Sequence, residues 1–123
     1  MKVLLGIEGS EESMRTLEAT IERTRDAGDE LTVAVFEKPD TDQSLDEIEA
    51  TVRDRLEGAG LDAVLERIEA DHPASALVQR AEAGGFDQLV IGGGTRSPMG
   101  KISLGEVTEF VLLNAQITVR VVR

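Results

Sequence analysis

The residues of this chain that are best suited to chemistry lie in one glycine-rich stretch, from Gly92 to Gly105. The stretch reads Gly-Gly-Gly-Thr-Arg-Ser-Pro-Met-Gly-Lys-Ile-Ser-Leu-Gly. Glycines let backbone N–H groups turn outward and let a ligand approach the chain closely. Arg96 and Lys101 add positive charge to the same stretch. We therefore expect this loop to bind an anionic group such as a phosphate chain.

The distribution of charge favours the same region. The chain of 123 residues carries 24 acidic and 13 basic side chains, a formal net charge of −11, whereas residues 87–123 hold four basic and three acidic ones. An acidic surface repels nucleic acids and anionic membranes, so we expect neither as a partner. Only three of the basic residues are Lys, and scarce Lys with abundant Asp and Glu is typical of a halophilic protein.

The pattern of apolar residues predicts a regular alternation of strands and helices. Strands are expected at 2–8, 31–36, 88–91 and 117–122, and the ambiguous segment 61–69 is favoured as a further strand by its position between two helical patterns. Helices are expected from the N-cap Ser10 to Ala27, after the capping box at Ser44, from Pro73, and from Gly100 or Ile102 to Asn114.

This alternation predicts one α/β domain over residues 1–123, with a parallel sheet covered by helices on both faces. In such sheets ligands bind beyond the carboxyl ends of the strands, where the strand order reverses. Three loops meet this condition: the loop from Ile7 to Ser10, the loop after Val35, and the glycine-rich stretch.

Several kinds of chemistry lack the residues that they need. The chain has no Cys and a single His, His72, which we interpret as a loop residue beside Pro73. A Ser-His-Asp triad, a His or Cys metal site and a disulfide framework are therefore not expected. The sequence contains no long apolar run and no secretory signal pattern, so we expect no membrane span and a cytoplasmic location.

Taken together, these residues resemble the universal stress protein family. The resemblance is carried by residues 91–123, by the opening Val3-Leu-Leu-Gly-Ile-Glu-Gly-Ser-Glu-Glu-Ser13, and by the segments 71–74 and 86–92. It implies a three-layer α/β/α fold with a five-stranded parallel sheet in the order 3-2-1-4-5. It also implies a homodimer formed along the edge strand at 117–122, and a stress-response or regulatory role rather than an enzyme, with slow ATP hydrolysis at most.

Members of that family that bind ATP carry the pattern Gly-x2-Gly-x9-Gly-Ser/Thr. Gly92 and Gly105 match its first and third positions, whereas Thr95 and Glu106 stand at the second and fourth. The resemblance implies contacts of Glu8 with the adenosine and of Val35 with adenine. The candidate residues for ATP or AMP, with Mg²⁺, are Ile7, Glu8, Val35, Gly92, Gly94, Thr95, Arg96, Ser97, Gly100, Lys101, Gly105 and Glu106.

The two departures leave alternatives open. Thr95 resists a positive φ, and a carboxylate about 4 Å from a phosphate oxygen costs roughly 4 kcal/mol at an effective dielectric constant near 20. The phosphates then lie over Arg96 and Lys101, or Mg²⁺ mediates, or the chain is a nucleotide-free dimeric interaction module of the same fold. A receiver-like phosphoacceptor domain fits less well, because the sequence offers no Asp after a clear third strand.

Overall fold

The computed structural model describes residues 1–9, 11–37, 43–92, 95–96, 102–103 and 105–122. Apart from two short strands in the glycine-rich stretch, strands and helices alternate along these residues, as the apolar pattern predicts. In chain order the elements are β1 (Lys2–Ile7), α1 (Glu11–Ala27), β2 (Glu30–Val35), α2 (Leu45–Gly58), β3 (Val64–Arg67), α3 (Pro73–Ala83), β4 (Gln88–Gly92), β5 (Thr95–Arg96), β6 (Ile102–Ser103), α4 (Glu106–Asn114) and β7 (Thr118–Val122).

Five strands form one parallel sheet in the order β3-β2-β1-β4-β7. With β7 counted as the fifth long strand, this is the order 3-2-1-4-5, and the fold prediction is confirmed. The central strand β1 pairs with β2 on one side and β4 on the other, so that Leu5 lies opposite both Val33 and Val90. The ambiguous segment at 61–69 contains the edge strand β3, as favoured above.

Two hydrophobic clusters, one on each face of the sheet, explain why the strands are continuous apolar runs. On one face, Leu5 and Ile7 pack with side chains of α1 and α2, including Leu17 and Ile48. On the other face, Leu4 packs with side chains of α3 and α4. Because successive strand residues point to opposite faces, a strand covered on both sides must be apolar at nearly every position.

The predicted helix ends agree with the structure at two points. Ser44 is the N-cap of α2, and its Oγ accepts a hydrogen bond of 3.2 Å from the backbone N–H of Glu47. Pro73 is the first residue of α3. His72, predicted to be a loop residue, is the N-cap of α3, and its Nδ1 accepts a 3.2 Å hydrogen bond from the N–H of Ser75. Ser10, the predicted N-cap of α1, lies outside the described residues.

The predicted start of the last helix is wrong. The helix α4 begins at Glu106, with Gly105 as its N-cap, and not at Gly100 or Ile102. Ile102–Ser103 is extended and pairs antiparallel with Thr95–Arg96. Residues that are hydrogen-bonded in an extended ladder are unable to join a helix, so the helix starts after them. None of the helices within the described ranges is long and apolar enough to cross a membrane.

The edge strand β3 is tied to α3 by an ion pair with two hydrogen bonds. Arg80 donates from Nε and Nη2 to the two carboxylate oxygens of Glu66, at 2.8 and 2.7 Å. These hydrogen bonds lower the pKa of Glu66 below its ordinary value of 4.5, although partial burial acts in the opposite direction. Both side chains are partly exposed, so solvent screening keeps the contribution of the pair small.

We expect Glu66→Gln to lower the free energy of unfolding by about 1 kcal/mol or less at neutral pH. The depressed pKa stabilises the fold at pH above 4.5, and this contribution is lost as the pH falls through the lower pKa of the folded state. Denaturant unfolding curves should therefore differ at neutral pH and converge well below pH 4.5. Glu57→Gln, at an exposed position of α2, is the control. A difference that persists at low pH would contradict the assignment to the ion pair.

Candidate functional site

The carboxyl ends of the parallel strands lie together at one end of the sheet, and the strand order reverses there between β1 and β4. From β1 the sheet continues to β2 and β3, whereas from β4 it continues to β7. The helix that follows β1 packs on one face of the sheet and the helix that follows β4 packs on the other. The two loops therefore diverge and leave a crevice, which is the usual ligand position in open parallel sheets.

Two of the predicted contact residues, Ile7 and Val35, are the last residues of β1 and β2. They lie opposite each other in the register of β1 and β2, and both side chains are fully buried in the core. The carbonyl oxygen of Ile7 accepts a 3.0 Å hydrogen bond from the N–H of Phe36, and that of Val35 accepts one of 2.8 Å from Ile68. These residues support the crevice, and their contact with a ligand stays a prediction.

The loop after β1 is held against the first turn of α1. The backbone N–H of Glu8 donates to the Oγ of Ser13 at 3.1 Å, and Ser13 is buried. Glu8 itself is partly exposed at the mouth of the crevice. Its position fits the predicted contact with a ligand, and it leaves a carboxylate at the β1 side of the site.

Gly92, the last residue of β4, is enclosed by a helix on each face of the sheet. A Cβ at this position would lie 2.9 Å from the Oγ1 of Thr16 in α1, which is closer than real Cβ contacts allow. On the other face, the Oγ1 of Thr108 in α4 donates a 2.7 Å hydrogen bond to the carbonyl oxygen of Gly92. The glycine is therefore required for packing, and it fixes the point from which the glycine-rich loop leaves the sheet.

The glycine-rich loop contains a short β-ribbon. Thr95 pairs with Ser103 and Arg96 pairs with Ile102. Among the described residues every non-glycine residue has a negative φ, Thr95 included. The backbone at Thr95 is extended, which threonine adopts readily, so the conformational objection to threonine at this position is removed. Four predicted site residues lie outside the described residues: Gly94, Ser97, Gly100 and Lys101.

Gly105 differs from Gly92 because none of the surrounding residues that the structure describes requires a glycine there. Its φ is −69° and its ψ is 160°, a conformation open to any residue, and no described atom lies within 4 Å of the position of a Cβ. It is the N-cap of α4 but has no side chain that could accept a hydrogen bond from the first turn. No described residue therefore fills the space beside Gly105, where the first backbone N–H groups of the helix lie.

Glu106, the first residue of α4, is exposed. With Glu109 it places two carboxylates in the first turn, where they interact favourably with the helix dipole. A bound phosphate would compete with them for the same positive end. Since Glu106 is exposed, its side chain has room to turn into solvent.

Beside the crevice, a cavity of about 390 Å³ lies beyond the ends of β2 and β3. Its charged lining consists of Glu37, Asp46, Arg67, Glu69 and Asp71. The one guanidinium in this lining pairs with Asp46 at 3.0 Å, Glu49 at 3.3 Å and Glu69 at 3.6 Å. An excess of carboxylates makes this cavity a poor place for phosphate. Within the described part of the chain, no three His, Asp or Glu side chains are placed to hold a metal ion.

The sequence analysis missed three residues of this site: Thr16, Thr108 and Gln43. Thr16 and Thr108 enclose Gly92, and the side chain of Gln43 lies directly over Gly9 in the loop after β1. All three are far in sequence from the residues that they contact. For the two threonines, the sequence offered one indication, a hydroxyl side chain on the buried face of a helix.

Comparison with solved structures places the fold among known proteins. A universal stress protein from Archaeoglobus fulgidus aligns with a TM-score of 0.79 and 21% identity, covering 100% of this chain and 98% of its own. A universal stress protein in complex with cAMP aligns with a TM-score of 0.74 and 23% identity, covering 100% and 97%. One from Archaeoglobus fulgidus in complex with dAMP gives 0.72 and 18%, covering 100% and 98%.

At these identities the likeness concerns the fold. No match to this chain is found among curated proteins. The model of the universal stress protein family, however, matches residues 1–123. On this match, and with the five-stranded order and the crevice described above, the chain belongs to the universal stress protein family.

Proposed function

We propose that this chain is a cytoplasmic regulatory protein that binds an adenine nucleotide, ATP or AMP, in the crevice between β1 and β4. The observation that carries the proposal is made at Gly105, where neither the packing of the described residues nor the backbone conformation calls for a glycine. A residue without a side chain at a helix N-terminus lets a phosphate reach the free N–H groups. The structures of similar fold solved with cAMP and dAMP support the same class of ligand.

The charges around the crevice define how the phosphates would lie. Glu106 and Glu109 stand in the first turn of α4, and a phosphate oxygen about 4 Å from a carboxylate is disfavoured by roughly 4 kcal/mol at an effective dielectric constant near 20. We therefore place the phosphates towards Arg96 and Lys101, or bridge them to the carboxylates through Mg²⁺ bound with the nucleotide. As the family resemblance implies, we expect slow ATP turnover at most.

The binding proposal is tested on protein purified in high KCl, in keeping with the halophilic character that we infer from its composition. Heat denaturation should release an adenine nucleotide, or calorimetry should record binding of ATP with Mg²⁺. Glu106→Ser should tighten binding and Arg96→Ala or Lys101→Ala should weaken it, because each changes the charge beside the phosphates. The control is Glu30→Ser, which removes a carboxylate at the amino end of β2, the end of the strand away from the crevice. If no nucleotide is released and calorimetry records no heat of binding, the proposal is overturned.

The two glycines that match the nucleotide pattern should respond differently to substitution. Gly105→Ser adds an N-capping hydroxyl at an extended residue and should raise the free energy of unfolding by a few tenths of a kcal/mol. It should nevertheless weaken nucleotide binding, by about tenfold, because the side chain enters the space for the phosphate. Gly92→Ala should lower stability by about 1–3 kcal/mol through its contact with Thr16. If Gly105→Ser binds the nucleotide with unchanged affinity, Gly105 does not lie beside the phosphate and this part of the proposal is wrong.

A second candidate function, a nucleotide-free dimeric interaction module, is favoured by the surface around β7. This strand is an edge of the sheet, and an edge strand has hydrogen-bonding groups free to pair with another chain. In the neighbouring helix α4, Leu112 is 43% exposed and Leu113 is 84% exposed. We propose that two copies associate along the edge at residues 117–122 and cover these leucines. Dimerisation is compatible with nucleotide binding and is also the basis of the alternative.

Sedimentation of the purified protein should reveal a dimer, and Leu113→Glu should weaken it by at least about tenfold, because a charge enters an apolar interface. Because Leu113 is exposed in the single chain, we expect the substituted protein to fold normally. Val64→Glu is the matched control, since Val64 is 56% exposed on the opposite edge strand β3. A wild-type monomer, or a dimer that Val64→Glu weakens as much as Leu113→Glu does, would contradict this interface.

A further inference from the structure

Arg120 is a partly buried cation in the middle of the edge strand β7. Its Nε atom is shielded from solvent and has no hydrogen-bond partner among the described residues. Burial lowers the pKa of the Arg120 guanidinium, the nearby cation of Arg23 acts in the same direction, and Asp29 acts against both. The surroundings of Arg120 therefore disfavour a further positive charge beside it.

The side chains of β7 alternate between the two faces of the sheet. Val119 and Val121 pack against the cluster beneath α3 and α4. Thr118 and Arg120 therefore point to the α1 face, where Val90, the residue opposite Arg120 on β4, belongs to the other cluster. Since β7 is the last strand in the order, its outer N–H and C=O groups are the ones that a further strand would meet.

The symmetry of a pair of identical edges limits how two β7 strands can join. Two copies that continue one sheet through the same edge pair antiparallel about a two-fold axis. Residues directly opposite each other then point to the same face of the continuous sheet. Because side chains alternate along a strand, each allowed register has one residue on the axis, opposite its own copy. The choice of register is therefore the choice of that residue.

The register with the greatest overlap of the two strands places Arg120 on the axis, because Arg120 is the central residue of Thr118–Val122. That register sets two guanidiniums directly opposite each other on the α1 face, with Arg23 of each copy nearby. Like charges directly opposite on neighbouring strands are destabilising. Charge therefore works against the register that overlap favours.

Moving the axis by one residue, to Val119 or to Val121, separates the two arginines. With Val119 on the axis, Arg120 lies opposite the partner's Thr118, whose hydroxyl oxygen accepts a hydrogen bond from the guanidinium. With Val121 on the axis, Arg120 lies opposite the partner's Val122, which offers no acceptor. The buried donor of Arg120 thus favours Val119 as the residue on the axis.

The end of α4 favours the same choice. The helix ends at Asn114 and β7 begins at Thr118, so Leu113, which is 84% exposed, lies close to the start of the strand. With Val119 on the axis, the partner strand extends further towards that end than it does with Val121 on the axis. More of the exposed apolar surface is then covered by the partner.

We propose that two copies pair β7 with β7 with Val119 on the two-fold axis, and that Arg120 sets this register. The inference rests on the association along residues 117–122 proposed above. Each Arg120 reaches across the interface to the partner's Thr118, and the two Val119 side chains meet on the opposite face of the sheet. An edge of similar apolar residues without this charge would specify its register only weakly.

The chain has no cysteine, so disulfide crosslinking tests the register directly. Only the residue on the axis lies opposite its own copy, with Cβ atoms about 4.5–5.5 Å apart, where one introduced cysteine can link two chains. On mild oxidation Val119→Cys should form a covalent dimer at least about tenfold faster than Val121→Cys or Thr118→Cys, measured on non-reducing gels. A mixture of Val119→Cys and Val121→Cys chains reports the register with Arg120 on the axis, because that register sets these two positions opposite each other.

The role of Arg120 is tested by Arg120→Gln, which removes the charge and keeps a polar side chain. The register with residue 120 on the axis then becomes accessible, so crosslinking of Val119→Cys should slow by about threefold or more. Crosslinking in the mixture of Val119→Cys and Val121→Cys chains should rise. Arg53→Gln, which removes an exposed arginine of α2, is the control.

The outcomes separate this inference from the association on which it rests. If sedimentation shows a monomer, the association fails and the inference fails with it. If the protein is a dimer that crosslinks fastest through Val121→Cys, Thr118→Cys or the mixture, or through none of them, the association stands and this register is overturned. Preferential crosslinking of Val119→Cys that Arg120→Gln leaves unchanged would overturn the role of Arg120. Preferential crosslinking of Val119→Cys that Arg120→Gln slows and Arg53→Gln does not supports the inference.

Discussion

The structure depends on the burial of the central strand β1 on both faces of the sheet. Leu5 and Ile7 belong to the cluster beneath α1 and α2, and Leu4 belongs to the cluster beneath α3 and α4. Each face must be covered by helices. Helices α1 and α2, which connect β1, β2 and β3, cover one face, and helices α3 and α4, which lead to β4 and β7, cover the other. The same division that completes the core opens the crevice between β1 and β4. The candidate site is thus a consequence of how the core is closed.

Glycines at the edge of the sheet serve two separate purposes. Gly92 and Gly9 admit neighbouring side chains, those of Thr16 and Gln43, which pack against the backbone where a Cβ would stand. At Gly105 no described atom lies within 4 Å of the position of a Cβ, and the backbone conformation is ordinary. The first two therefore shape the crevice from within the protein, and the third leaves room for something outside it. A sequence pattern that counts glycines alone treats these cases as equal.

Electrostatics limits which ligands the crevice can accept. With a formal net charge of −11, the protein attracts anions only where cations and free N–H groups are concentrated. The adjacent cavity beyond β2 and β3 is dominated by carboxylates, whereas the start of α4 supplies the positive end of a helix dipole. The start of α4 is therefore better suited to phosphate than the neighbouring cavity is.

The sequence by itself determined the alternation of strands and helices, the parallel sheet, and local helix ends such as Ser44 and Pro73. These features follow from hydrophobic periodicity and from capping groups that act within a few residues of one another. It also located the glycine-rich loop and the family pattern at Gly92 and Gly105. Only the tertiary structure decided that Ile102–Ser103 is extended and pairs with Thr95–Arg96, that Thr16 and Thr108 enclose Gly92, and that Gln43 covers Gly9. Each of these depends on hydrogen bonds or close contacts between separate segments of the chain, and a local pattern of residue types carries no information about which segments meet.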